Sequence, residues 1–428
     1  MKMDLFAQNN LSCFLPTALK NRYQDLIKEH LNVAPKLAQG VKTLSHHKTA
    51  WANTQASWRF FSNENIAYPQ LSLPLNQAAR QELAGITSTY ALVAHDWCKN
   101  NYRDHDCKLD KIQMSHDRDV GYELFASLLL DSDTGKPLAP LGLDLAAREG
   151  VYRCRDVEPQ KAIPHLEQLT DRIEWQESLP LNKHLVHVID READSAPHLR
   201  QLMGVKWLTR GKKNTSVMHD DEFVSLEKLA LKLPSEIKGI VDYKGKEAYL
   251  FVGETEVVLQ RKSEKDVVNP PSVRFVVSTL SNEKGEQLAQ WLLLSNVAEV
   301  DSLTIANWYY FRWSIESWFK VLKGHGFQIE HWQQETAPRI FRRLIVSAMA
   351  CVMMWKLYND NSKDAVELKT FLIKLSGRLT KRSKPVTHPA LLAGLWVFLQ
   401  LNEVLSNYTI EEIEAFRELA SSFFGQTM

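Results

Sequence analysis

Leu185-Val186-His187-Val188-Ile189-Asp190-Arg191-Glu192-Ala193-Asp194 is the stretch on which the reading of the fold turns. Its first half is short and nearly continuous in hydrophobicity, the habit of a strand buried on both faces, and it stops abruptly at a carboxylate. Tyr90-Ala-Leu-Val-Ala-His-Asp96 has the same shape. Each Asp should therefore emerge at a strand's end, although either one alone also fits a cap or a turn. Between them, Gly121–Leu130, the turn Asp131-Ser-Asp-Thr-Gly135 and Leu138–Leu145 extend Tyr90–Asp96 into a three-strand meander. A helical stretch around Ala162–Leu169 leads into the strand ending at Asp190, and Ser195–Met203 reads as the helix after it.

A third carboxylate lies far downstream, in Tyr309-Tyr-Phe-Arg312-Trp-Ser-Ile-Glu316-Ser-Trp-Phe-Lys320-Val-Leu-Lys323. Tyr309, Arg312, Glu316, Lys320 and Lys323 fall at helical spacing and predict one polar stripe. Ile305, Trp308, Ile315, Phe319 and Leu322 form an apolar stripe beside it, which would seat the helix on a core. Alone, this pattern also fits an amphipathic surface helix with internal ion pairs. Two strand-end aspartates and a helix glutamate kept ionised by cations together suggest an oxygen-ligand site for a hard cation such as magnesium.

The Asp-Arg-Glu-Ala-Asp stretch from Asp190 and the Tyr309, Arg312, Glu316, Lys323 pattern resemble the signatures of bacterial insertion-sequence DDE transposases of the YREK class. The resemblance spans about residues 15 to 400. It implies an α/β architecture: a ribonuclease-H-like catalytic core with an inserted antiparallel β subdomain, flanked by helical N- and C-terminal domains. Residues 1–70 would be the DNA-binding domain, 71–365 the catalytic domain with its β-rich insertion at about 207–296, and 366–428 a dimerisation region. The first and fourth core strands would lie side by side, making Asp96 and Asp190 neighbours. Asp96, Asp190 and Glu316 would hold Mg2+, with Mn2+ substituting, and catalyse two-metal cleavage of DNA ends and joining of the 3′-hydroxyl to target DNA. His95, Cys98 and His187 sit near this point, but magnesium's preference for oxygen makes them packing or supporting residues.

The resemblance also assigns DNA contacts. Tyr309, Arg312, Lys320 and Lys323 would grip phosphates beside the break, where guanidinium suits bidentate contacts and ammonium acts as a point charge. Trp291 matches an aromatic that stacks on a flipped base; it also fits an ordinary strand core. Arg210, Lys212 and Lys213 match a basic site near the DNA terminus, or a solvated turn. Arg339, Arg342 and Arg343 precede the apolar run Leu344–Leu357 and are expected to face DNA, because positive charge at a helix N-terminus opposes the macrodipole unless an anion binds there.

Composition sets the bounds. At 428 residues, 44% hydrophobic, the length prior is about three domains. Five scattered cysteines without a CxxC pair predict reduced thiols and no zinc site. No run of roughly eighteen unbroken apolar residues and no secretion signal is read, so no membrane partner and a cytoplasmic, nucleoid-associated location are expected. The formal net charge is +1, so any DNA-binding charge must be clustered.

One such cluster is residues 1 to about 70, with eight Lys/Arg against four Asp/Glu. Leu19, Tyr23, Leu26, Ile27 and His30 there suggest short helices. Ala56-Ser-Trp58-Arg59-Phe60-Phe61-Ser-Asn63 resembles the close of the family's small helical DNA-binding domain, where Lys48 and Arg59 would touch phosphates and Asn63 a base edge. Trp58, Phe60 and Phe61 read better as core. Pro69–Pro74 is the expected boundary. From Trp207 to about Asn296, strand-like Ala248–Val252, Glu256–Gln260, Val273–Leu280 and Trp291–Leu294 fill the insertion. Lys374–Lys384 holds five Lys/Arg and no acid and also fits a solvated linker. Leu391–Leu405 and Ile410–Phe424 close the chain as helices resembling the dimerisation region, one protomer reading each inverted repeat. A metal-dependent nuclease of the same fold and a non-catalytic DNA-binding regulator are the other readings kept.

Overall fold

The computed structural model describes residues 15–32, 47–243, 246–264, 267–324, 326–377 and 386–424. Helices α1 (Thr17–Asn32), α2 (His47–Phe61) and α3 (Tyr68–Gly85) come first. Strands β1 (Tyr90–Asn101), β2 (Ile112–Gln113), β3 (Val120–Asp131), β4 (Pro137–Ala147) and β5 (Gly150–Arg153) follow, then α4 (His165–Glu177), β6 (His184–Ile189) and α5 (Ala196–Gln201). Next come β7 (Lys206–Arg210), β8 (Ser216–His219), β9 (Glu222–Ser225), α6 (Leu226–Lys232), β10 (Glu236–Tyr243), β11 (Lys246–Val258), β12 (Ser272–Ser281) and β13 (Gln287–Ser295). The chain ends in α7 (Ser302–Phe311), α8 (Trp313–Lys323), α9 (Ala337–Asn359), α10 (Lys363–Leu375), α11 (His388–Asn407) and α12 (Ile410–Phe424).

The strands join one mixed sheet in the order β5-β4-β3-β1-β6-β7-β13-β12-β11-β8-β9, with β10 on β11 and β2 on β3. β1, β3 and β4 form the expected antiparallel meander, and β1 also pairs parallel with β6, which in turn pairs parallel with β7. The strands from β7 to β13 continue this same sheet.

Burial on both faces explains the unbroken apolar runs. Ala91–Ala94 and Val186–Ile189 have no apolar face to spare, since helices cover each side. Residues of α1–α3 and α7–α9 build one hydrophobic core on the sheet, and α4, α5 and α6 build the other. α9 is the central pillar of the first, buried from Ile340 to Trp355 almost without interruption. α10 and α11 pack on each other and on α9.

One expectation needs correction. Pro69–Pro74 is not a linker but the start of α3: Pro69 lies in the first turn, where a missing N–H costs nothing, and Leu71, Pro74 and Leu75 are buried. Among the described residues α11, at 20 residues, is long and apolar enough to cross a membrane by length and composition, but Gln400, Asn402 and Glu403 interrupt its apolar run and its Ala390, Leu391, Leu392 and Gly394 are buried against the protein. Cys98, Cys107, Cys154 and Cys351 are free thiols; Cys13 lies outside the described residues. The basic run ending at Lys384 extends into residues 378–385, also outside them.

Candidate active site

Sheet register brings the two aspartates level. The parallel pairing runs from Tyr90 opposite His184 to Ala94 opposite Val188, and two residues further along each chain stand Asp96 and Asp190. The expected strand end holds for Asp190, which follows Ile189 directly and opens a 3₁₀ turn over Arg191–Ala193. Asp96 differs: β1 continues to Asn101 along β3, so Asp96 lies within the strand but just past its pairing with β6. By the two-residue alternation, Asp96 faces away from His95 and Trp97 and toward α8.

The expected single helix is divided at Arg312, where α7 ends and α8 begins. Arg312 N–H donates to the Tyr309 carbonyl and Ile315 N–H to the Arg312 carbonyl, i→i−3 bonds that tighten the chain by a fraction of a turn. Tyr309 is consequently buried, while Tyr310 and Trp313 are exposed. The division gives α8 its own N-terminus and puts Glu316 in its first turn, where the helix dipole favours a carboxylate. The β3–β4 turn clamps this junction. Trp308 Nε1 donates to the Ser132 carbonyl (3.0 Å) and Ser314 Oγ to the Gly135 carbonyl (3.0 Å). Gly135 has φ +68°, and a Cβ there would come within 2.4 Å of the Phe311 ring, so only glycine fits.

The outcome is a convergence of all three carboxylates on one side chain. Arg312 Nη1 lies 3.2 Å from Asp96 Oδ2, while Nη2 lies 2.7 Å from Glu316 Oε1 and 4.0 Å from Asp190 Oδ2. Tyr309 Oη donates to Asp190 Oδ1 at 3.1 Å, and Trp97 N–H donates to Asp96 Oδ1 at 2.9 Å. The carboxylates are half-buried and Arg312 is buried.

Burial pushes Asp96 up to about 6, against the pull of Arg312. At Asp190 burial acts the same way, but Arg312, the Arg191 N–H, the Tyr309 hydroxyl and Arg210 outweigh it and hold the carboxyl below the ordinary range. Burial disfavours the charge on Arg312, yet Tyr309 and the three carboxylates more than restore it. Among the described residues, no three His, Cys, Asp or Glu side chains stand close enough to hold one ion as they are, since the guanidinium lies between them.

Arg210, Trp291, Tyr309, Arg312 and Lys320 line one cleft of about 590 Å³ together with Tyr243, Tyr310 and Trp313. Trp291 is half-buried, its ring 6.4 Å from Tyr309 and 6.3 Å from Tyr243. Lys323 points elsewhere, hydrogen-bonded to the Lys99 carbonyl and paired with Glu330 at 3.2 Å. Lys213 pairs with Glu227, and the Lys212 N–H is taken by Asp194.

Arg342 and Arg343 correct an expectation. Both are buried: Arg342 donates to the Ile66 and Phe61 carbonyls, and Arg343 to His30 and Gln334 while lying over the Trp332 ring. They join α9 to the N-terminal helices, so their guanidiniums are taken up inside the protein and are not presented on its surface. Arg339 alone of the three stays partly exposed, beside Glu335 and over Trp58. At the N-terminal helices Phe60 and Phe61 are core, Arg59 is exposed, and Asn63 Oδ1 accepts from the Asn65 N–H in a local turn. The side chain of Lys48 lies outside the described residues.

On the underside of the site lie His95 and His187, expected near this point as packing or supporting residues, and His165, which sequence reasoning missed. His95 Nε2 and His187 Nδ1 lie 2.9 Å apart, fully buried beneath α4, and His95 Nδ1 meets Ser127 Oγ at 3.0 Å. His165 stacks on Trp97, the neighbour of Asp96, and bridges Glu123 (3.0 Å) and Glu192 (3.3 Å), the latter two residues past Asp190. The only signal was period two: His95 and Trp97 flank Asp96 and must face the opposite way.

No curated protein matches this chain. Residues 158–353, a span that holds Asp190 and Glu316 and begins after Asp96, match the family described as the transposase DDE domain, and that match supports a transposase of the DDE kind.

Proposed function

We propose that this chain is a DNA transposase of the YREK class, built on a ribonuclease-H-like core with Asp96, Asp190 and Glu316 as its catalytic carboxylates. It would bind the terminal inverted repeats of its own element, cut there and join the freed 3′-hydroxyl to target DNA. The observation that carries this reading is the meeting of three carboxylates, from β1, the residue after β6 and α8, around Arg312. An all-oxygen donor set that already accommodates one positive charge suits a hard divalent cation. When bound, Mg2+ would supply Lewis-acid activation of the attacking hydroxyl and stabilisation of the leaving oxygen.

The chain's own residues do the rest. Tyr309 orients Asp190 through its hydroxyl, and the depressed Asp190 stays ionised as a ligand. Arg210 and Lys320 offer cationic donors to the DNA backbone across the cleft, and Trp291 with Tyr243 offers aromatic faces to an unstacked base. We assign residues 1–70 to DNA recognition, with Arg59 free to meet phosphate, and the helices from 366 onward to pairing with a second copy.

The test is incubation of the purified chain with Mg2+, a linear duplex carrying its own terminal repeat and an unrelated plasmid. Joined product that disappears in Glu316→Ala supports the reading. Nicking without joining would replace it with a nuclease, and binding without cutting with a regulator.

A further inference from the structure

Arg312 has two environments at once. Its guanidinium bridges Asp96 and Glu316 at 3.2 and 2.7 Å with Asp190 at 4.0 Å, and it also forms part of the wall of the cleft lined by Arg210, Trp291 and Lys320. A cation coordinated by all three carboxylates needs the oxygens that this guanidinium now holds. The two cannot share them.

The backbone at Arg312 is suited to a change. It is the junction of α7 and α8, bonded i→i−3 on both sides, so a side-chain swing there leaves both helices intact. The cleft supplies the alternative partner. Cationic and aromatic groups gather there with no acidic side chain in its lining, so an anion entering it would attract Arg312 away from the carboxylates.

We propose that Arg312 is a metal gate: it competes with divalent cation for Asp96, Asp190 and Glu316, and a DNA phosphate in the adjoining cleft draws it off, so that metal loads when DNA is present. The proposal rests on the carboxylate assignment made above. Reciprocity requires that metal, in turn, tighten DNA binding by the same factor.

The experiment is Mn2+ titration of the full chain, read from the free-ion electron paramagnetic resonance signal, with and without a short duplex of random sequence and with the duplex alone subtracted. Wild type should bind Mn2+ roughly tenfold tighter with duplex than without, the scale of ordinary coupling between sites. Arg312→Gln should bind tightly without duplex and gain little from it. Arg312→Lys keeps the charge but cannot bridge three carboxylates, so it should resemble Arg312→Gln.

Equal wild-type affinity with and without duplex would overturn the gate, and that arm needs no variant. Arg312→Lys behaving as wild type would also overturn it, leaving only a generic effect of charge. Asp96→Asn separates the two levels: if it binds Mn2+ as well as wild type, the carboxylate assignment itself fails, whereas weak binding in Asp96→Asn together with no duplex effect in wild type sinks the gate alone.

Discussion

Asp96 and Asp190 differ in how their environments treat charge. Asp190 is held ionised by four surrounding groups, whereas Asp96 is pushed up to about 6 by burial. An isosteric Glu316→Gln keeps the α8 packing and removes one anionic ligand. We expect cleavage to fall by roughly a thousandfold or more with duplex affinity in a gel-shift assay little changed; a variant that still cuts would remove Glu316 from the catalytic set. A second residue-scale prediction concerns His165. Hydrogen bonds to Glu123 and Glu192 outweigh burial and raise it to about 9. Because the folded value is raised above the ordinary 6.5, the stability it contributes is complete below 6.5 and is lost as pH rises through 9. The gap in melting temperature between wild type and His165→Gln should therefore close between pH 7 and 10. A gap that stays constant would mean that the imidazolium does not brace the Asp190–Asp194 turn.

At the scale of elements, Arg342 gives the sharpest test, because exposed and buried arginines fail differently. Its donors meet the Ile66 and Phe61 carbonyls. Arg342→Ala leaves those acceptors unpaired under α9, a loss of about 2–3 kcal/mol in urea unfolding, and should leave the salt dependence of DNA binding unchanged. Lys320→Ala should do the reverse, flattening the salt slope by about one contact with stability intact. The same arginines mark where sequence ran out. Apolar runs ending in Asp96 and Asp190, and the meander between them, were legible because doubly buried strands leave a continuous hydrophobic signature. α9 was legible as a buried helix from Leu344 to Leu357. What hid the role of Arg342 and Arg343 is that amphipathic pattern places a long side chain on a face but does not say what covers that face, and here the N-terminal helices do. α3 was lost because Pro69 and Pro74 read as turn formers, although proline is tolerated in a first turn, where Pro69 lies, and Pro74 sits inside the helix at the cost of one backbone hydrogen bond. β11 was read as two strands, since Gly253 and the polar Glu254–Glu256 interrupt its hydrophobicity while its ladder to β12 runs through unbroken. The junction at Arg312 left no signal either, because helical spacing is nearly the same on both sides of it.

For the whole molecule, a net charge of +1 means that attraction to DNA is local, carried by patches such as the cleft beside the carboxylates. The proposed transposase would have to hold two ends of an element together, and the exposed apolar side chains of α11 and α12 suggest how. Leu401 and Leu405 on α11, with Ile410, Phe416, Leu419 and Phe423 on α12, are exposed, Phe423 at 77%. Phe416, Leu419 and Phe423 recur at helical spacing on one face of α12, and an apolar face of that kind left in water is a docking surface in ordinary soluble proteins. We assign it to a second copy of the chain. Phe416→Glu with Leu419→Glu puts two like charges at its centre and touches nothing in the sheet, so the fold should survive with an unchanged melting temperature. Light scattering of the chain mixed with end duplex should then shift from two protomers to one. Single-end nicking should persist in this variant, while joined product that requires paired ends should fall. A double variant that still assembles two protomers would move the interface elsewhere, and one that loses nicking as well would tie assembly to the chemistry itself.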